Sequence, residues 1–168
     1  MTRFHFEKLT KQHALGAFDC GVGPLNVFLT RYALQNQAAQ TSQTYVCLAD
    51  GETVVGYFTL VVGQVEFDVA PERMRKGLAR HPVPVTVVAR LAVSGNWRGQ
   101  GIGLSLFKDA ILRALDVADI AGMRAVVVHA KDNAAKAFYQ RLGFQEGFIN
   151  PMHLYLLTKD LMKITASQ

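Results

Sequence analysis

The residues best suited to chemistry fall in two places in the second half of the chain. One is Arg98-Gly99-Gln100-Gly101-Ile102-Gly103, where alternate positions from Gly99 onward carry no side chain. This run sits between a β-branched stretch and a segment with helical spacing. A strand–loop–helix join of that kind aims unpaired backbone N–H groups and the positive helix end at an anion, and missing Cβ atoms let a phosphate come close. Arg98 would add a fixed positive charge at the rim. The same residues also read as a turn that lets the helix pack on its sheet, and spacing alone leaves both readings open. The spacing is not the G-x-G-x-x-G of dinucleotide sites, and no Lys-Ser or Lys-Thr pair follows as in a Walker loop. The other place is Asn133-Ala134-Ala135-Lys136-Ala137-Phe138-Tyr139, which carries an amide and a phenol on one candidate helix. Helical spacing sets Tyr139 beside Ala135 and Leu142, as for a buried ring, and Asn133 would serve equally as a cap.

Other reactive side chains give weaker patterns. Cys20 and Cys47 are the only cysteines, and no basic start followed by a long apolar run marks a signal peptide, so a reducing cytoplasm is the expected setting. His5, His13, His81, His129 and His153 lack paired ligand spacing with Cys, Asp or Glu, so no metal is expected. His129 ends a predicted strand, where a lone histidine is more often structural than a base. No run reaches the roughly 20 apolar residues of a membrane span. Lys and Arg number 18 against 13 Asp and Glu, a net charge of +5 that favours an anionic partner, with coenzyme A and nucleic acid both suitable.

These groups need elements to position them. The 168 residues fit one domain, 1–168, able to bury a core without disulfides or metals. Phe4–Lys8 alternates like a short strand, Thr10 or Lys11 opens a weakly helical segment through Phe18, and Pro24 to about Ala38 reads as an amphipathic helix with Leu25, Phe28, Leu29, Tyr32 and Ala33 on its apolar face. Thr44–Ala49 and Thr53–Val62 form a hairpin through Asp50-Gly51. Residues 71–82 are a charged connector between Pro71 and Pro82, and Val83–Val93 is a long strand. A helix after Gly103 runs to Gly122, a strand follows over Ala125–His129, and a short helix spans Asn133–Leu142. The spans Phe144–Phe148 and Met152–Leu157 close the chain as strands.

With that order in place, the loop resembles the acetyl-CoA motif of GNAT (GCN5-related) N-acetyltransferases: Arg or Gln, two residues, Gly, one residue, then Gly or Ala. Asn133 through Tyr139, followed by Arg141-Leu142-Gly143-Phe144, resembles that family's later helix. The resemblance implies an α+β fold with a central, mostly antiparallel sheet flanked by helices, and a splayed pair of parallel strands that holds acetyl-CoA. It also implies that the main chain of Leu91, Ala92 and Val93, the loop residues Arg98, Gly99, Gln100, Gly101, Ile102 and Gly103, and Asn133 and Phe138 bind the cofactor. Tyr139 would then be the general acid for the departing thiolate.

Within the family the chain is similar to the acetyltransferase toxins of bacterial toxin–antitoxin modules, through Phe18-Asp19-Cys20-Gly21, Leu25–Leu29, Tyr32–Gln37, Val83-Pro84-Val85, Ala89–Val93 and Val128-His129-Ala130. This implies acetylation of the free α-amine of aminoacyl-tRNA, a block of translation, and neutralisation by a small ribbon-helix-helix antitoxin; a homodimer is compatible with it. In the connector, Arg73, Arg75, Lys76 and Arg80 face a single acid, Glu72. Short basic runs are usually solvated surface, but with the toxin resemblance these four and Arg90 become candidate contacts to RNA. Two rivals remain at this point: acetylation of a small amine or protein N-terminus, and an inactive regulatory module that binds acetyl-CoA.

Overall fold

The computed structural model describes residues 1–166. They group into two compact units, Met1–Val61 with Ala89–Ala110, and Val62–Val88 with the residues from Ile111 on. Strands β1 (Phe4–Lys8), β2 (Gln43–Ala49), β3 (Thr53–Val65), β4 (Val83–Val93), β5 (Ala125–His129) and β6 (His153–Leu157) lie in the sheet in chain order. β1 with β2, β2 with β3 and β5 with β6 are antiparallel, and β4 with β5 is parallel. The mixed, mostly antiparallel sheet expected from the sequence is the one observed.

In the first unit the β2–β3 hairpin turns through Asp50 and Gly51, both at positive φ, as a type I′ turn requires. Buried Val46, Leu48, Val54 and Tyr57 of these strands pack with Phe18, Phe28, Leu29, Ala33 and Ala92. The Thr44 and Thr59 hydroxyls, both buried, bond each other at 2.9 Å and so satisfy one another across the paired strands. The predicted helix from Pro24 has three parts: α1 (Gly23–Val27), a π-helical segment (Phe28–Tyr32) and α2 (Ala33–Ala38). The π turn is closed by the Ala33 N–H donating to the Phe28 carbonyl. An extra residue in one turn shifts the helical phase, which corrects the predicted apolar face. Phe28, Leu29 and Ala33 are buried as expected, but Tyr32 is 50% exposed.

The expected helical segment from Thr10 to Phe18 does not form. Thr10 instead closes a turn, its N–H donating to His13 Nδ1 at 3.0 Å and the His13 N–H donating to its carbonyl at 3.2 Å. Such side-chain bonds compete with helix, and Gly16 lowers helix propensity further.

In the second unit β4 registers Val85–Val88 against Ala125–Val128 of β5, and β6 pairs Leu157–His153 against Ala125–His129. Buried Val83, Val85, Ala125, Val127, Tyr155 and Leu157 form its core with Met74 of the short α3 (Glu72–Arg75). α4 (Ile102–Ala121) begins in the first unit and ends in the second. α5 (Asn133–Arg141) and α6 (Thr158–Ala166) complete the described elements. The predicted strand Phe144–Phe148 is corrected to one bridge, Gln145 to Tyr155. Gly147 lies at φ +159 against Pro71 and Tyr155, a close backbone approach that ends the pairing. After β6 the described residues continue into α6 rather than stopping at a strand, anchored where the Thr158 hydroxyl donates to the Met123 carbonyl at 2.6 Å. Among the described residues no helix is long and apolar enough to cross a membrane.

Candidate active site

The glycine loop has the backbone that an anion site needs. Gly99 and Gly101 both sit at φ +78, a region closed to most side chains, and a Cβ on either would meet nothing within 4 Å. The loop backbone is therefore open to a ligand on the side where side chains would stand. The Ser105 N–H donates to the Gly101 carbonyl at 3.1 Å as α4 begins, so the N–H groups of Ile102, Gly103 and Leu104 precede the first helical bond. Turn N–H groups followed by a helix N-terminus suit a pyrophosphate, and this cradle fits coenzyme A. Ile102 anchors the helix start in the core at 3% exposure.

The strand leading into the loop is held by its neighbour. Ser94 N–H donates to the Val55 carbonyl at 2.8 Å, and Gly56 lets β3 approach: a Cβ there would lie 3.1 Å from the Ala92 carbonyl oxygen. Ala92 is buried, while Leu91 and Val93 are half-buried.

A second support was not legible in the sequence. The Asp19 carboxylate accepts from the Gly21 N–H and from Asn26 Nδ2, both at 2.9 Å. The Gly95 N–H donates to the Asp19 carbonyl at 2.8 Å, and the Cys20 N–H donates to Asn26 Oδ1 at 3.0 Å. Arg98 donates to the Cys20 carbonyl. These bonds tie the segment before α1 to the entry of the glycine loop. They also turn Arg98 back toward Cys20, so its cation is partly engaged within the chain. The Gly21 N–H, then Asn26, then Arg98 hold the Asp19 carboxyl below the usual carboxylate range. Asp19, Gly21, Ser94, Asn96 and Arg98 are among the residues lining a cleft of about 220 Å³ at this point. The Phe18–Gly21 stretch carries only family likeness in the sequence, because the partners that join it to the glycine loop, Ser94, Gly95 and Arg98, lie far away along the chain.

On α5 the Asp132 carboxylate, not Asn133, caps the helix, accepting the Ala135 N–H at 2.8 Å. This corrects the cap reading of Asn133, whose side chain is exposed. Tyr139 is 6% exposed, with its ring edge-on to Phe138 at 5.3 Å and tilted on Phe144 at 5.8 Å. The Lys136–Glu146 ion pair at 2.7 Å ties the helix to the segment after it. Burial pushes the Tyr139 phenol up to about 12, so it carries its proton throughout the neutral range. That is the state a proton donor needs.

His129 stacks on His153 with ring centroids 3.9 Å apart, and burial first, then the neighbouring imidazole, lower its pKa. Burial, then Asp109, pushes the Cys47 thiol up to about 11, so it is not a resting nucleophile.

The basic connector is largely engaged with its own unit. Arg73 pairs with Asp160 at 3.2 Å and donates to Gln145 at 3.0 Å; Arg80 pairs with Asp68. Arg75 donates to the Phe67 and Asp68 carbonyls at 3.4 Å. Lys76 is exposed. Arg90 lies in the first unit, its guanidinium over the Phe28 ring.

Comparison with known proteins places this arrangement. The acetyltransferase (GNAT) domain family matches residues 40–146. A tRNA-acetylating toxin of Mycobacterium tuberculosis is 40% identical over 144 residues, 86% of this chain and 86% of the relative. Among solved structures, AtaT complexed with acetyl-methionyl-tRNAfMet aligns with a TM-score of 0.89 at 26% identity, covering 97% of this chain and 99% of the other. AtaTR bound with AcCoA aligns with a TM-score of 0.81 at 27% identity, covering 96% and 98%. A glycine cradle at the head of α4, a buried protonated tyrosine on α5 and this likeness over most of the length agree, and the chain belongs to the GNAT N-acetyltransferase family.

Proposed function

We propose that this chain transfers the acetyl group of acetyl-CoA to the α-amine of aminoacyl-tRNA and acts in the cytoplasm as the translation-blocking toxin of a toxin–antitoxin pair. One acetyltransferase domain over 1–168 would do this, with a ribbon-helix-helix antitoxin as partner and a homodimer as a compatible assembly. The observation that carries the reading is the open cradle at Gly99 and Gly101, in a chain 40% identical to a tRNA-acetylating toxin.

Acetyl-CoA supplies an activated thioester. The residues proposed to bind it are Arg98 through Gly103 at the pyrophosphate, the main chain of Leu91, Ala92 and Val93 along the pantetheine arm, and Asn133 and Phe138 on α5. Tyr139 would hold a proton for the departing thiolate. The α-amine of an aminoacyl ester has a pKa of roughly 8, so a useful fraction is neutral near pH 7 and water can take its proton afterwards. No protein base is required, and His129 is not assigned that role. Along the connector, Lys76 is the cation most available to a phosphate, since Arg73, Arg75 and Arg80 would each have to leave the partners described above.

An acceptor comparison tests this. With radiolabelled acetyl-CoA, label should enter total charged tRNA and not the same tRNA after deacylation. Label entering only small amines or peptides would replace the RNA acceptor with an ordinary one. Absence of transfer to every acceptor, with acetyl-CoA still bound, would leave a regulatory module.

A further inference from the structure

Several arginines spend their N–H groups on the chain itself: Arg73 on Asp160, Arg98 on Cys20, and Arg124 on the Met74 and Lys76 carbonyls at 2.9 and 3.0 Å. Arg90 is different. It is half-buried on β4, its guanidinium carbon lies 3.6 Å from the centroid of the Phe28 ring, and among the described residues no hydrogen bond or ion pair engages it. Phe28 in turn stacks on Tyr57 at 6.4 Å with an interplanar angle of 22°, and the Tyr57 hydroxyl donates to the Leu25 carbonyl at 2.7 Å. The guanidinium therefore lies over one of a pair of stacked rings whose second member is held by a hydrogen bond. Stacking holds a guanidinium by its face and leaves the N–H groups on its edge pointing outward. A partly desolvated cation with unspent donors is suited to receive an anion.

Its placement has a second support. Phe28 is the first residue of the π segment, and such turns are uncommon and recur at functional sites. The strand continues from Arg90 directly into Leu91–Val93, and at about 3.3 Å per residue Val93 lies only about 10 Å further along.

We propose that Arg90, held over the Phe28 ring, binds a backbone phosphate of the RNA acceptor end and so sets the acceptor beside the strand proposed to carry the acetyl donor. This rests on the tRNA reading above and assigns that reading its main phosphate contact, in place of the internally paired connector. The planar fork receives two phosphate oxygens, a geometry that lysine does not reproduce.

The test compares the parent with Arg90→Gln, Arg90→Lys and Phe28→Leu. Filter binding of deacylated total tRNA is measured over a salt series, and calorimetry of acetyl-CoA reports an intact fold. Arg90→Gln should weaken tRNA binding by about ten- to a hundredfold and reduce the log–log salt slope by about 0.7 to 0.9. Arg90→Lys should keep the slope while losing part of the affinity, and Phe28→Leu should fall between, all with unchanged acetyl-CoA affinity. Unchanged tRNA affinity and slope in Arg90→Gln overturn the proposal. Loss of tRNA and acetyl-CoA affinity together in Arg90→Gln also overturns it, because Arg90 is then a packing residue. A parent that binds no tRNA overturns it as well. A parent that binds tRNA through Arg90 but acetylates no charged tRNA keeps the phosphate site and refutes the acceptor proposed above.

Discussion

Replacing Tyr139 by Phe removes the phenolic O–H and keeps the ring. The ring is 6% exposed between Phe138 and Phe144, and Phe keeps both aromatic contacts. With its pKa near 12 the phenol is protonated at every neutral pH, so the variant lacks a donor that the parent always has. A positioned acid contributes roughly 100- to 10,000-fold, or about 3 to 5 kcal/mol of barrier. Single-turnover transfer to charged tRNA should slow by that factor, with acetyl-CoA affinity retained. The same shift has a stability consequence whose sign is fixed. The folded chain keeps this proton up to about pH 12, whereas an ordinary tyrosine releases it near pH 10. The neutral phenol's contribution is therefore complete below pH 10 and is lost as the pH rises through 12, up to about 3 kcal/mol. Tyr139→Phe should resist alkaline unfolding better than the parent over that window while melting within a few degrees of it at pH 7. A single-turnover rate equal to the parent's, with chemistry limiting, would refute the acid role and leave Tyr139 as packing.

Three further outcomes follow from the geometry. Gly101→Asp and Gly101→Asn impose the same positive-φ strain, so a loss of acetyl-CoA affinity much larger for Asp, read by calorimetry, isolates the anion; equal losses would make the loop structural. Asp19→Ala should raise KM for acetyl-CoA more than it lowers kcat, because it unties the Cys20–Arg98 side of the loop, and Asp19→Asn should restore part of the loss; steady-state kinetics with unchanged KM would remove the knot from cofactor binding. Partial burial and then His153 lower the His129 pKa, so its contribution to stability should be complete above pH 6.5 and be lost as the pH falls below that; His129→Gln should flatten that acid limb in urea titrations at graded pH.

How much of this is legible in the sequence depends on how local its cause is. Val83–Val93 and Ala125–His129 came out at the predicted bounds, since β-branched runs with clear punctuation specify a strand by themselves. The glycine loop was readable for the same reason: spacing and position after a strand are local facts. Periodicity misplaces Tyr32 because a π turn is a phase change it cannot register, and α6 is hidden because it starts at Thr158 directly after β6, with no turn residue between them. The Asp19 knot and the Arg90 stack depend on partners far away in sequence, Ser94 and Arg98 in one case and Phe28 in the other. Residue type and spacing give no account of such partners. The connector shows the converse: four cations in a short run look like a phosphate surface until Asp160 and Asp68 are seen to pair with two of them.

The central claim is that the acetyl group ends on the α-amine of the amino acid carried by tRNA. The direct measurement is mass spectrometry of the 3′-terminal nucleoside released by nuclease from total charged tRNA after incubation with acetyl-CoA and this protein. An N-acetylaminoacyl-adenosine that is absent without the protein and strongly reduced with Tyr139→Phe is the expected product. Acetyl-CoA turnover that leaves every aminoacyl-adenosine unmodified would contradict the account.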